Sequence, residues 1–254
     1  MTQMRVLILT ALLTTPLAHA VPQQWSEAFE DGAYRTAAME AQIEQNADNL
    51  AFAARCLLAQ AMSAPDHQPP QDIVIEAEAL ARQALEQEPD HIEGRLQLAI
   101  ALSLRAHPLS TREAMRAGYG GDAKELVEAV LVDDPDNFYA NGFMAVWHVE
   151  VVRRGGSVGS AILGASVKRA RRFYSDAAEI ASDDASTHWQ YARALTALNA
   201  KKYRNEIDMA LNAALSAEAE TALEQVMQDR AQTLKTALET QDRKSVQDMA
   251  ARML

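Results

Sequence analysis

The chain repeats one pattern of small and large apolar residues at helical spacing. The pattern occurs four times with identical offsets and a fifth time in a weaker form. Its members, each set ending with the residue five positions further on, are Ala77, Ala81, Ala84 and Pro89; Ala123, Val127, Val130 and Pro135; Ala170, Tyr174, Ala177 and Ser182; Glu206, Ala210, Ala213 and Glu218; and, in the weaker copy, Ala37, Ala41, Glu44 and Asn49. Positions i, i+4 and i+7 share one face of a helix, and small residues there let a second helix approach to about 8 to 10 Å. The pattern therefore predicts a series of closely packed helices.

A second pattern, of a large, a small and then another large residue, follows each of these helices except the last. Its members are Leu58, Ala59 and Met62; Leu98, Ala99 and Leu102; Met144, Ala145 and His148; and Tyr191, Ala192 and Leu195. The short turns between the two patterns, such as residues 88–90, 133–137 and 183–184, are acidic, and acidic side chains can cap the helix that follows. Two alternating helix patterns joined by short turns predict an all-α chain of helical hairpins.

This alternation resembles the tetratricopeptide repeat (TPR) family over roughly residues 32–218, because both helix patterns recur in phase. The resemblance implies a TPR-like solenoid of about five antiparallel hairpins, each burying its apolar face against its neighbours. Copies lie 40, 46, 47 and 36 residues apart, whereas the family repeats about every 34 residues, so several hairpins carry longer loops. No binding position of the family is therefore carried over. Apolar residues in helical register between 221 and 254 predict a C-terminal cap on the last hairpin, and we treat residues 21–254 as one domain.

The first twenty residues have the features of a cleavable signal peptide. Arg5 gives a positive start, Val6 to Leu17 are largely apolar, and Ala18-His19-Ala20 fits the small-x-small cleavage pattern. An uncleaved anchor is the alternative, but the apolar run is shorter than the roughly 20 residues that span a bilayer, and Pro16 interrupts it. We expect a periplasmic protein, with no membrane-spanning segment later in the chain.

Charge divides the chain into an acidic majority and one basic stretch. The net charge is −11, which disfavours unspecific nucleic-acid binding. Residues 151–175 contain no acidic residue and hold six cations, Arg153, Arg154, Lys168, Arg169, Arg171 and Arg172. This reversal of sign indicates contact with an anion or a partner. The alternative is that these cations pair with carboxylates on neighbouring helices or in a second copy of the chain.

Aromatic residues concentrate beside the basic stretch, and Trp147, His148 and Trp189 join its cations as candidate binding residues. Packing in the core is the alternative for all three. From Phe143 through the glycine-rich insert, about 35 residues resemble a bacterial group of TPR proteins akin to the regulator-of-microtubule-dynamics family. That resemblance implies a packed hairpin insertion that shapes a pocket for an apolar or lipid-like ligand.

No catalytic constellation is evident. Residues 155–159, Gly-Gly-Ser-Val-Gly, match the spelling of a hydrolase nucleophile elbow, but the elbow needs a strand before the serine, so we interpret them as a flexible loop. The histidines lack metal-ligand spacing, and Cys56 is the single cysteine. We therefore expect no enzymatic activity, cofactor or metal site.

Taken together, these features predict an exported interaction module, an adaptor or assembly factor that holds a protein partner of the cell envelope. The alternative is a periplasmic accessory protein, for instance of a transport system, that binds an apolar or anionic small molecule or a lipid.

Overall fold

The computed structural model describes residues 22–254, and within that range every regular element is an α-helix. The prediction of an all-α chain is confirmed for these residues, whereas the predicted signal peptide lies outside them. In chain order the helices are α1 Gln23–Glu30, α2 Tyr34–Ala41, α3 Ala47–Met62, α4 Gln71–Gln87, α5 Ile92–Ala106, α6 Thr111–Ala117, α7 Tyr119–Asp133, α8 Phe138–Leu163, α9 Val167–Ile180, α10 Ala185–Asn199, α11 Arg204–Ser216, α12 Ala222–Thr240 and α13 Arg243–Arg252.

The two sequence patterns fall on different sets of helices. The first lies on α2, α4, α7, α9 and α11, and the second lies on α3, α5, α8 and α10. Their small members are buried, as with Ala81 on α4 and Ala99 on α5, except on α11, where Ala213 is partly buried and Ala214 is buried instead. Each helix of the first set packs on the helix that follows it. Helices of the second set also contact one another, as α3 does with α5 and α8 with α10. The small residues thus mark the helix contacts that their spacing predicts.

Polar side chains fix where several helices begin. The Asp184 carboxylate accepts a hydrogen bond from the Thr187 amide at 2.5 Å, and Asn137 accepts one from the Ala140 amide at 3.0 Å. Both residues belong to the acidic turns that the sequence predicted to cap α8 and α10. In the third turn the cap is His91, whose Nδ1 accepts a hydrogen bond from the Gly94 amide at 3.0 Å.

The glycine-rich insert is helical, so its interpretation as a flexible loop was wrong. Helix α8 continues to Leu163 through a kink at Gly156, which has φ 57° and ψ −151°. This conformation suits glycine and would strain other residues. Beyond the kink, Leu163 packs against the hydrophobic core, and this contact stabilises the helical conformation of the segment.

The C-terminal helices contact the beginning of the chain as well as the last hairpin. Helix α12 packs on α10, α11 and α1. An ideal Cβ on Gly32, next to α1, would lie 3.0 Å from the Ala222 Cβ at the start of α12. The first and last parts of the described chain therefore meet, and helices α3, α5, α8 and α10 line the space between them. Among residues 22–254, no helix combines the length and the apolar character needed to cross a membrane.

Candidate functional site

A cavity of about 610 Å³ lies in that space. Most of its wall is apolar, with large side chains that include Leu58, Leu96, Ile100, Phe143, Trp147 and Leu163. Ligand sites in proteins are commonly concave, between about 300 and 1,000 Å³, and lined by apolar and aromatic groups with a few polar ones. This cavity has the size and the composition of such a site.

Helices α5, α8 and α10 run along the cavity, and each of them turns one face toward it. Before the kink of α8, the residues on this face are Tyr139, Gly142, Phe143, Val146, Trp147, Glu150, Val151 and Arg154. Their spacing of three and four positions places them on one side of the helix. Arg153, Gly155, Gly159, Ile162 and Leu163 also line the cavity. Helix α5 contributes residues from Glu93 to its C-cap His107, and α10 contributes residues from its N-cap Asp184 to Arg193. At 1.5 Å per residue, the polar groups at the two ends of these faces lie about 14 to 21 Å apart along the helix axes.

A group of charged side chains lies at the C-terminal end of these faces. The Glu150 carboxylate accepts hydrogen bonds from Nε and Nη2 of Arg153 at 2.8 and 2.6 Å, and from Nη1 of Arg193 at 3.2 Å. Arg154 donates to the carbonyl oxygens of Ala106 at 3.1 Å and Leu109 at 2.5 Å. We call Glu150, Arg153, Arg154 and Arg193, together with His107, the basic group; it holds three guanidinium groups and one carboxylate.

The protonation states of the basic group follow from burial and from its charges. Burial alone would raise the pKa of the Glu150 carboxyl, but Arg193 and Arg153 outweigh it and hold that pKa below its ordinary value. Burial and the nearby Arg193 guanidinium lower the pKa of His107 to about 4. Neither ring nitrogen of His107 has a hydrogen-bond partner within the described residues. At neutral pH the ring is therefore uncharged, and both of its nitrogens are buried rather than open to the cavity.

A second set of charges lies at the opposite end, around Tyr139. Burial raises the pKa of the Tyr139 hydroxyl, and Asp184, Glu93 and Glu224 are close enough to raise it further while Arg55 lowers it. These three carboxylates already have partners in the fold: Asp184 caps α10, Glu224 completes the capping box of α12 with Thr221, and Glu93 lies 3.8 Å from Arg55. We call Glu93, Asp184, Glu224 and Arg55 the acidic group.

The cavity has an apolar rim on α6 and the last turns of α8. Met115 and Ile162 both line the cavity, yet 55% and 67% of their surface is exposed. A hydrogen bond of 3.4 Å from the Thr111 hydroxyl to the Arg154 carbonyl oxygen links these two helices. The mouth of the cavity thus has apolar side chains in contact with solvent.

Three of the residues predicted to bind line this cavity, namely Trp147, Arg153 and Arg154. The Trp147 indole is fixed by a hydrogen bond from Nε1 to the Gly120 carbonyl oxygen at 2.8 Å. His148 and Trp189 are buried elsewhere: His148 stacks on Phe173 with ring centroids 5.5 Å apart, and Trp189 donates to the Leu254 backbone oxygen at 3.0 Å.

The other four predicted residues lie on α9 with their side chains exposed. Arg171 forms a two-pronged ion pair with Glu206, with both distances 2.8 Å, and Arg172 lies 3.7 Å from Asp176. Arg169 donates to the Gly164 carbonyl oxygen at 3.0 Å, and Lys168 has no ion pair among the described residues. The structure therefore divides the basic stretch, with Arg153 and Arg154 inside the cavity and the α9 cations outside it.

Sequence reasoning missed His107, Glu150 and Arg193. A signal for Glu150 was present, because it lies three residues before Arg153 in an apolar segment and two charges at that spacing share a helix face. Arg193 directly follows the Tyr191-Ala192 pair of a buried helix, where a charge needs a partner. The contact between Glu150 and Arg193 joins α8 to α10, and nothing local in the sequence specifies it.

The structure places the residues considered for catalysis as follows. Ser157 is exposed within α8, directly after the kink, and no strand precedes it in the described range. Between residues 22 and 254, no three His, Cys, Asp or Glu side chains come together in a way that could hold a metal ion. Cys56 is buried, and burial raises the pKa of its thiol to about 12.

No protein-family model matches the chain, and no curated protein matches it at a significant level.

Proposed function

We propose that this protein is an exported binding protein that holds a small amphipathic molecule in its central cavity. The observation that carries the proposal is the cavity itself, about 610 Å³ in volume, with a largely apolar wall and polar groups at its two ends. This combination is typical of sites that take a ligand with an apolar body and a polar head.

The proposal includes a TPR-like solenoid as the architecture. Its support is that the two sequence patterns fall on alternating helices and that helices two apart contact each other, such as α3 with α5 and α10 with α12. In such a solenoid one set of helices lines the inner surface, and here α3, α5, α8 and α10 line the cavity. We propose that the contact of α12 with α1 turns the concave surface into an enclosed site.

Binding a protein segment is the second candidate. Its support is the exposed apolar rim formed by Met115 and Ile162, to which a partner of the cell envelope could dock. Crosslinking purification of the tagged protein tests it. We expect one envelope protein to be recovered with the wild type and lost with Ile162→Asp. Recovery of the same proteins with the wild type and with Ile162→Asp would contradict this second candidate.

Export stays a proposal that rests on residues 1–20. We expect the protein in the periplasmic fraction, with a mass that begins at Val21. A protein recovered from the cytoplasm with residues 1–20 intact would overturn this.

Native mass spectrometry tests the cavity proposal. The mature protein, purified without detergent, is expected to carry an additional mass that disappears under denaturing conditions. If only the bare polypeptide is observed, both as purified and after incubation with a mixture of fatty acids, fatty alcohols and lysolipids, the proposal fails.

A further inference from the structure

We infer that the ligand carries a carboxylate, which binds at the basic group, and an apolar chain that lies along the cavity toward the acidic group. The inference rests on the proposed function and names the chemistry of the molecule that fills the site. It predicts a long-chain carboxylic acid in its ionised form.

The two ends of the cavity carry opposite net charges. The basic group has three guanidinium groups against the single carboxylate of Glu150, an excess of two positive charges. The acidic group has three carboxylates against Arg55, an excess of two negative charges. An anion is therefore attracted to the first end and repelled from the second, which sets the orientation of the ligand.

The basic group has N–H donors that make no hydrogen bond within the fold. Arg193 donates from Nε to Gln190 at 3.0 Å and from Nη1 to Glu150 at 3.2 Å and to the Ala250 carbonyl oxygen at 3.4 Å. Arg153 donates from Nε and Nη2 to Glu150. A guanidinium has five N–H donors, so Nη2 of Arg193 and Nη1 of Arg153 remain without a hydrogen bond among the described residues. Hydrogen bonds between guanidinium and carboxylate are short and strong, which suits these donors to a carboxylate.

The neighbouring groups also favour an anion over a cation. His107 is neutral at pH 7 because its pKa is lowered to about 4, so it leaves the excess positive charge of the three guanidinium groups unchanged. Glu150 is already hydrogen bonded to two guanidinium groups, so it has little capacity for a cationic ligand.

The length of the cavity sets the length of the chain. On α8, eleven positions separate Tyr139 from Glu150, a rise of about 16 Å. With carbon–carbon bonds near 1.5 Å, an extended chain of about twelve carbons spans roughly 15 Å. Phe143, Val146 and Trp147 lie on the same face between the two ends and would contact this chain.

The test compares dodecanoate with dodecanol and dodecyltrimethylammonium, which share the chain and differ in the head. Isothermal titration at pH 7.5 is expected to show dodecanoate binding at least about tenfold more tightly than dodecanol, the value of one hydrogen bond to a charged group. The cationic amphiphile is expected to bind most weakly of the three.

Two variants test whether the carboxylate head group of the ligand binds at the basic group. Arg153→Gln should weaken dodecanoate about tenfold and leave dodecanol unchanged, whereas Glu150→Gln, which removes the competing carboxylate, should tighten dodecanoate. Arg82→Gln is the matched control, because Arg82 pairs with Glu78 on the same helix, as Arg153 does with Glu150, but lies outside the cavity. Arg82→Gln should change the affinity for neither ligand. Thermal unfolding shows whether each variant is folded. If Glu150→Gln is unfolded, the result for Arg153→Gln decides the test.

The outcomes separate the two proposals. If dodecanol binds as tightly as dodecanoate, or if Arg153→Gln weakens both ligands equally, the carboxylate inference is overturned while the cavity keeps its proposed function. Preference for the cationic amphiphile overturns the inference in the same way. If none of the three amphiphiles binds, the proposed function fails together with the inference.

Discussion

Arg230 on α12 donates a hydrogen bond of 2.7 Å from Nη1 to the carbonyl oxygen of Met62 at the end of α3, although the two residues are 168 positions apart in the chain. The same guanidinium donates to the backbone oxygens of Ala64 and Leu254, each at 2.8 Å. A single buried side chain thus ties the C-terminal helices to the first third of the protein. The connection joins α12, which contributes Leu223 and Glu224 to the cavity wall, to Met62, which also lines the cavity.

Replacing Arg230 with methionine should lower the free energy of unfolding by about 3 kcal/mol. The change removes three hydrogen bonds from a charged donor, each worth about 1 kcal/mol or more. The Met62 carbonyl oxygen loses its side-chain partner, whereas the oxygens of Ala64 and Leu254 keep hydrogen bonds from the His67 amide and the Trp189 indole. Urea denaturation measures the effect. Arg243→Ala, at an exposed position at the start of α13, is the control and should change the value by less than about 0.5 kcal/mol. Equal stability of the two variants would show that Arg230 has no such role.

Gly32 and Gly121 should respond to alanine in opposite directions. Gly32 has φ +81° and faces Ala222, so Gly32→Ala meets both backbone strain and a clash, and should destabilise the protein by about 1 to 3 kcal/mol. Gly121 lies in the first turn of α7 with nothing within 4 Å of an added Cβ, so Gly121→Ala should stabilise it by up to about 1 kcal/mol. Thermal unfolding of both variants provides the measurement, and a gain in stability from Gly32→Ala would contradict the close approach of α12.

The sequence predicted those parts of the structure that are determined by residues close to one another on the same helix. Small residues at i, i+4 and i+7, such as Ala77, Ala81 and Ala84, share a face whatever the rest of the chain does, so they could be identified from spacing alone. The helical state of residues 157–163 could not be identified in this way, because three glycines close together in the sequence favour a loop. The packing of Leu163 against the core, which favours a helix, is not visible in the local sequence.

The candidate site was only partly predictable for the same reason. Trp147, Arg153 and Arg154 were identified because charge and aromatic residues cluster locally. The cavity that they line lies between helices far apart in the sequence, which contacts such as that of Arg230 with Met62 hold together, and the basic group includes the contact of Arg193 with Glu150. These contacts join residues 168 and 43 positions apart, and no period or motif in the sequence specifies them.

Stability should fall as the pH falls from about 6.5 to about 4, because buried histidines resist protonation. Burial, helped by the nearby Arg169 and Lys124, lowers the pKa of His148 to about 4, while Glu128 opposes the shift. In the unfolded chain the ring takes up a proton below about pH 6.5, so acid favours unfolding in this window. His107 has the same shift and acts in the same direction.

His148→Phe isolates this effect. Phenylalanine keeps the stacking on Phe173 and removes a ring nitrogen, Nδ1, that has no partner among the described residues. The variant should match or exceed the wild-type stability at pH 7.5 and lose about 3 kcal/mol less on acidification to pH 4. Chemical denaturation at both pH values measures the difference, and parallel losses in the two proteins would exclude His148 as the cause.

The most direct test of the central claim fills the cavity from inside. Gly159 lines the cavity on α8, is buried, and has nothing within 4 Å of an added Cβ. Gly159→Phe should therefore place a ring in the open space beside this part of the cavity wall, whereas Gly159→Ala adds a side chain too small to fill that space.

The measurement is the fluorescence titration of a neutral naphthalene dye whose emission rises in apolar surroundings, so that the result does not depend on the head-group inference. Wild type and Gly159→Ala should bind the dye with similar affinity, and Gly159→Phe, still folded by circular dichroism, should lose at least about tenfold. Equal binding by all three proteins would contradict the account, because the dye would then be bound outside the cavity.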